Sequence, residues 1–226
     1  MISKLVVAAA LSLSVGFANT IIAKNAGPLP ASSQDLSADE TLSGISGILD
    51  YPYGVSLFKI DIRNYLDFSA IVVPVGNHYI PDTELFLFDS AGLGVYGNDD
   101  LSGSNTLSCL PSASSGNPCP TIRNGLGPSD NGIYYLGITR SANLPLSSGG
   151  YIFASGSSMA VLGPDLSAGG GSAILGWDNG VYTNPDFDLT SYTIAVTGTT
   201  PEPETWTLLV GSGLALLLFR KRLRQR

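Results

Sequence analysis

The chain has 226 residues, including 27 glycines and 14 prolines, and only 13% of its residues are charged, which suits a turn-rich β domain better than a helical one. The formal net charge is −7, but residues 24–201 contain five basic and 16 acidic side chains, which gives that region a net charge of −11. A region this acidic repels phosphate backbones, so the composition argues against nucleic-acid binding.

The first 23 residues predict a secretory signal peptide. An early lysine is followed by an apolar stretch that ends in small residues. The tripeptide Gly16-Phe17-Ala18 offers one cleavage site and Ile21-Ile22-Ala23 offers a second. Cleavage after Ala18 and cleavage after Ala23 both remain open on the sequence.

Residues 42–198 predict a β domain. The segment SYTIAVTG (191–198) alternates apolar and polar side chains, and so does LFKIDIR (57–63). Residues 84–100 predict a hairpin, and residues 132–139 predict a further strand. We therefore expect an all-β fold, an antiparallel β-sandwich of jelly-roll-like type. The preceding residues 24–41 are rich in Pro, Ser and Ala without periodicity, and we interpret them as a flexible lead-in.

Two cysteines, Cys109 and Cys119, flank a segment of Pro, Ser, Gly and Asn that predicts a surface loop. In an exported chain the expected chemistry is a disulfide between them. A zinc site is the alternative, but two thiols and the single histidine of the chain cannot complete a tetrahedral shell without carboxylates.

The C-terminus, PEPETWTLLVGSGLALLLFRKRLRQR, contains an apolar run over residues 205–219 and a basic tail over residues 220–226. As a helix the run is about 22 Å long, shorter than a bilayer core of about 30 Å. We nevertheless expect a single short transmembrane helix, with the basic tail on the cytoplasmic side and the acidic body outside.

The order of these features resembles the PEP-CTERM sorting signal, here over residues 199–226. The residues that carry the resemblance are Pro201, Glu202 and Pro203, followed by the short apolar segment and the Arg/Lys cluster. The resemblance implies transient anchoring in the inner membrane of a Gram-negative-type bacterium and cleavage near Pro-Glu-Pro by an exosortase. It also implies delivery to the cell envelope or extracellular matrix, where exopolysaccharide is a candidate partner.

The body resembles a second family, the bacterial pre-peptidase C-terminal domain. The resemblance rests on DTELFLFDSAGLGVYGNDD, DNGIYYLGIT and DLTSYTIAVTG, in that order. Those domains are β-sandwich modules that accompany secreted proteases. No protease domain accompanies the module here, so the resemblance implies no enzyme activity.

Acidic and amide side chains cluster around the 84–100 hairpin. We expect the hairpin to bring Asp89 near Asn98, Asp99 and Asp100, as oxygen ligands for calcium. The alternative is that Asp and Asn occur there because they favour turns.

The leading hypothesis is an exported, non-enzymatic surface or matrix protein. An alternative is a calcium-dependent module that binds carbohydrate or protein, with aromatic side chains as a sugar platform: Tyr134, Tyr135, Tyr151, Trp177 and Tyr182. A weaker alternative is a secreted hydrolase that uses His78, although the sequence contains no Gly-x-Ser-x-Gly nucleophile motif.

Overall fold

The fold is known from a computed structural model that describes residues 19–24, 26–50, 54–76, 79–113, 119, 125–154, 156–180 and 190–200. Thirteen strands form within these residues. They are β1 (Asn19–Ile22), β2 (Gln34–Asp35), β3 (Leu42–Ile48), β4 (Val55–Ile62), β5 (Ser69–Val72), β6 (Thr83–Asp89), β7 (Gly94–Asn98), β8 (Cys109–Leu110), β9 (Gly132–Arg140), β10 (Pro145–Ser147), β11 (Gly150–Tyr151), β12 (Gly176–Trp177) and β13 (Ser191–Thr197). Two three-residue 3-10 turns, Pro30–Ser32 and Gly169–Gly171, complete the regular structure.

The strands form two five-stranded sheets and one small sheet. The first large sheet has the order β1-β3-β13-β5-β8 and the second has the order β2-β4-β9-β6-β7. The small sheet, in the order β11-β10-β12, lies beside the second large sheet. The expectation of an all-β fold is confirmed.

The two large sheets bury their facing sides in one apolar core, as alternating strands require. Phe58 and Ile60 of β4 and Ile194 of β13, which the sequence pattern assigns to the inner faces, are fully buried in it. The sheets thus form a sandwich-like pair of layers.

The prediction of purely antiparallel sheets is wrong at two edges. Strand β1 pairs in parallel with β3, and β2 pairs in parallel with β4. Both added strands come from the region before residue 42, so they reach their sheets through crossovers rather than hairpins.

Residues 26–41 also differ from the expected flexible lead-in. This segment contains the first 3-10 turn and β2, and Leu36 lies in the main core. The Asp35 carboxylate forms an ion pair with Lys59, with 2.8 Å between Oδ2 and Nζ. The sequence lacks periodicity here because the segment is held by contacts with distant residues, not by a regular pattern of its own.

A second apolar cluster covers the outer face of the β4-β9-β6-β7 sheet. Phe86 and Phe88 of β6 pack there against Phe153 and Trp177. The indole nitrogen of Trp177 donates to the carbonyl of Pro28 at 2.8 Å. This cluster closes the face that a plain sandwich would leave in water.

The expected disulfide joins Cys109 and Cys119, whose Cα atoms are 5.9 Å apart. No helix in the described part of the chain is long and apolar enough to cross a membrane. The predicted transmembrane segment at 205–219, the basic tail and most of the predicted signal peptide lie outside the described residues.

Candidate metal centre

Three carboxylates converge where β6 begins and β7 ends. Asp82 precedes β6, while Asp99 and Asp100 follow β7. Because Leu85 pairs with Asn98 across the two antiparallel strands, these flanking residues share one end of the hairpin. One carboxylate oxygen from each of the three aspartates lies within 4.8 Å of the others.

The loop that carries two of these carboxylates is fixed by the buried side chain of Asn98. Its amide nitrogen donates to the carbonyls of Asp100 and Ala160 at 3.2 Å, and its amide oxygen accepts from the Cys109 N–H at 2.9 Å. The Asp100 N–H donates to the Ser158 carbonyl at 2.8 Å. Asn98, predicted as a ligand, holds the loop in place through these hydrogen bonds.

A fourth carboxyl group, Glu84, lies beside this cluster and is only 4% exposed. Its Oε1 accepts from the Ala142 N–H at 3.0 Å. Its Oε2 is buried, as are the Oδ1 atoms of Asp99 and Asp100, and none of the three accepts a hydrogen bond from any described residue. Thr139 pairs with Glu84 across β6 and β9. Its buried hydroxyl oxygen also has no hydrogen-bond partner among the described residues. Buried polar atoms without partners call for a bound ion or water.

The electrostatics agree with this geometry. Burial raises the pKa of Glu84 to about 8, the charges of Asp99 and Asp82 add to the increase, and the Ala142 N–H opposes it. Burial likewise raises the pKa of Asp99 to about 7, with further increases from Asp100 and Asp82 and an opposing hydrogen bond from Ser141. Protons therefore occupy part of this cluster near neutral pH, and a divalent cation would displace them.

Arg140, a buried basic side chain of β9 whose backbone pairs with the start of β6, faces the other side of the sheet. Arg140 pairs with Thr83, whereas Glu84 pairs with Thr139, and successive side chains of a strand point to opposite faces. Arg140 thus faces the inner layer, while Glu84 faces outward toward the second apolar cluster.

The arrangement fits a hard cation with oxygen ligands. Calcium binds oxygen at roughly 2.3–2.6 Å, so two ligands on opposite sides of the ion are about 5 Å apart. The 4.8 Å limit on the three aspartate oxygens is compatible with this spacing. Backbone carbonyls and water would complete the six to eight oxygens that calcium takes.

Asp89, the remaining predicted ligand, lies at the opposite end of the hairpin. Its Oδ1 accepts from the Ala91 and Leu93 N–H groups at 2.9 Å, so it stabilises the β6–β7 turn. Asp89 is four residues along β6 from Leu85, the partner of Asn98, a separation of about 14 Å at about 3.4 Å per residue. The antiparallel register instead places Asp82 beside Asp99 and Asp100, because residues just before β6 lie next to residues just after β7.

A cavity of about 490 Å³ opens beside the acidic cluster. Glu84 and Asp99 line one side of it, and Phe86, Tyr151 and Phe153 contribute aromatic surface. Tyr151 is 48% exposed.

Of the aromatic residues expected to form one sugar platform, Tyr135 and Trp177 meet in the second apolar cluster, whereas Tyr134 lies in the main core. The Tyr134 hydroxyl donates its hydrogen to the Asp130 carbonyl. Tyr182 lies outside the described residues, as do His78 and the Pro201-Glu202-Pro203 motif.

Comparison with known proteins found no matching family model, curated protein or solved structure. The structure thus defines an all-β domain with a half-buried acidic centre, and its function is inferred from that centre.

Proposed function

We propose that the protein is an exported, non-enzymatic cell-surface or extracellular-matrix module of jelly-roll-like type whose acidic centre binds one calcium ion. The observation that carries the calcium assignment is the convergence of Asp82, Asp99 and Asp100 within 4.8 Å. The buried oxygens of Asp99, Asp100 and Glu84 that accept no hydrogen bond from a described residue support it, because buried charged oxygens are unfavourable without a compensating partner such as a cation.

Isothermal titration calorimetry with calcium chloride tests the assignment. The wild type is expected to bind one ion, and Asp99→Asn and Asp100→Asn are each expected to weaken binding at least tenfold, because each removes a formal charge from the site. Asp89→Asn is the matched control, since asparagine can still accept the two turn hydrogen bonds. An absence of binding by the wild type, or an equal loss in the control, would contradict the proposal.

Export and sorting form the second part of the proposal. Thr199 is buried and donates its hydroxyl hydrogen to the Leu42 carbonyl, so the packed domain extends to the residue before the exposed Thr200. Cleavage at Pro201-Glu202-Pro203 by an exosortase would therefore leave the described part of the domain, through Thr200, intact. A transmembrane helix over residues 205–219 would hold the chain in the inner membrane until then.

Mass spectrometry of the protein isolated from its host tests the sorting. A mature C-terminus near Pro201-Glu202-Pro203 is expected. Retention of residues 219–226 on the mature chain would exclude processing, and a chain that stays inside the inner membrane would exclude delivery to the envelope or matrix.

A calcium-dependent carbohydrate-binding role is the second candidate, and the cavity beside the acidic centre favours it. The cavity combines carboxylates with aromatic surface and has a size typical of ligand sites. Titration of the host exopolysaccharide with and without calcium is the test. Tyr151→Ala is expected to reduce binding, whereas Leu175→Ala, which removes an exposed apolar side chain outside the cavity, is not. Equal binding by both variants would exclude the cavity as the carbohydrate-binding site.

A further inference from the structure

The strand that follows the proposed cleavage site after Ala18 is part of the folded domain. Strand β1 lies at the edge of the first sheet, parallel to β3. The Asn19 N–H donates to the Thr41 carbonyl at 2.8 Å, and the Ala23 N–H donates to the Ser46 carbonyl at 2.6 Å. Backbone pairing therefore extends from Asn19 to Ala23, across all five residues between the two candidate sites.

Side chains on both strands are adapted to this pairing. A Cβ atom at Gly44 would lie 2.7 Å from the Thr20 hydroxyl oxygen, so glycine at this position leaves room for β1. The Ser43 hydroxyl donates to the Asn19 carbonyl at 3.1 Å. Ile21 packs against the main core. Residues of β3 therefore accommodate β1, and β1 contributes to the packing of the folded domain.

The surroundings of Asn19 also suit a chain terminus. The Asn19 side-chain amide donates to the Asp39 carboxylate at 3.3 Å, so a negative charge lies next to this residue. If the chain begins here, the backbone nitrogen becomes an ammonium group that can keep its hydrogen bond to the Thr41 carbonyl. The adjacent carboxylate would favour the added positive charge.

We infer that a signal peptidase cleaves the chain after Ala18 and that the mature protein begins at Asn19, with β1 as its first strand. The inference rests on the proposed export. In the reaction, water breaks the Ala18–Asn19 peptide bond, so that Ala18 gains a carboxylate and Asn19 gains an ammonium group.

Cleavage after Ala23 would have a structural cost. It would remove β1 and leave the outer edge of β3 unpaired, including the carbonyls of Thr41 and Ser46. It would also remove Ile21, which packs against the main core. A processed domain that begins at Asn19 keeps that edge covered.

N-terminal sequencing and intact-mass measurement of the protein exported by its host test the inference. The expected first residue is Asn19. A first residue of Lys24 would overturn the inference and leave the proposed export intact, whereas an exported chain that still begins at Met1 would overturn the signal peptide itself.

A matched pair of variants sharpens the test, since signal peptidases require a small residue before the cleaved bond. Ala18→Val is expected to block processing, so that uncleaved precursor accumulates, and Ala23→Val is expected to leave the N-terminus at Asn19. The reverse pattern would assign cleavage to the position after Ala23 and would overturn the inference.

Discussion

Glu84→Gln is expected to remove about half of the pH dependence of stability of the cation-free protein between about pH 5.5 and 7.5, because Asp99 titrates in the same range. In the folded chain the pKa of Glu84 is raised from 4.5 to about 8, first by burial and then by the nearby charges of Asp99, Asp82 and Asp178. In the unfolded chain the same carboxyl group releases its proton near its ordinary pKa. Between these two values the folded state binds more protons than the unfolded state.

The sign and size of the effect follow from this difference in bound protons. Because the folded state holds the extra proton, the free energy of unfolding falls as the pH rises through this window. One carboxyl group contributes at most roughly 1.4 kcal/mol per pH unit, so two pH units give a loss of about 1–3 kcal/mol. Glutamine cannot ionise and can still accept the Ala142 hydrogen bond, so the variant loses this contribution.

Urea unfolding at several pH values, in the presence of a chelator, measures the effect by circular dichroism. Asp130→Asn is the control, because it removes one carboxylate at an exposed position outside the cluster. If Glu84→Gln shows the same decline in unfolding free energy as the wild type and Asp130→Asn, the buried carboxyl group does not have the properties assigned to it. Asp99, with a pKa raised to about 7, supplies the slope that remains in the variant.

Three further predictions concern the stability of the fold. Reduction of the Cys109–Cys119 disulfide, which closes a loop of sequence separation 10, is expected to cost about 3 kcal/mol in urea unfolding; equal midpoints for oxidised and reduced protein would contradict this. Ile194→Ala, at a fully buried position, is expected to cost about 2–5 kcal/mol, whereas Ile48→Ala, on the neighbouring strand and 68% exposed, should stay within about 0.5 kcal/mol in the same assay. Trp177→Phe removes a hydrogen bond to a backbone carbonyl and is expected to lower the unfolding free energy by about 1–2 kcal/mol; an unchanged value would mean that this bond does not hold the N-terminal segment.

The parts of the fold that are predictable from sequence are those with a local pattern. Strands β4 and β13 alternate apolar and polar residues along their length, and the structure buries the expected faces. Strands β1 and β2 lack such a signal. They are short edge strands that depend on pairing with β3 and β4, partners that lie more than 20 residues away.

The acidic centre was predictable only in part, because the antiparallel register of β6 and β7 decides which acidic residues meet. Composition alone draws attention to the acidic residues around the hairpin, and Asp99 and Asp100 do belong to the centre. Proximity in sequence to the hairpin turn suggested Asp89, but antiparallel pairing brings Asp82 to the centre and leaves Asp89 at the other end. The raised pKa of Glu84 depends first on its burial, which the pattern of residues along β6 alone does not reveal.

The calcium assignment can be tested in a crystal structure of the processed protein soaked in a calcium analogue with strong anomalous scattering, such as terbium. One principal anomalous peak is expected, within bonding distance of the Asp82, Asp99 and Asp100 carboxylates. No peak at this position, with the three carboxylates still in place and free of lattice contacts, would contradict the assignment of a metal centre.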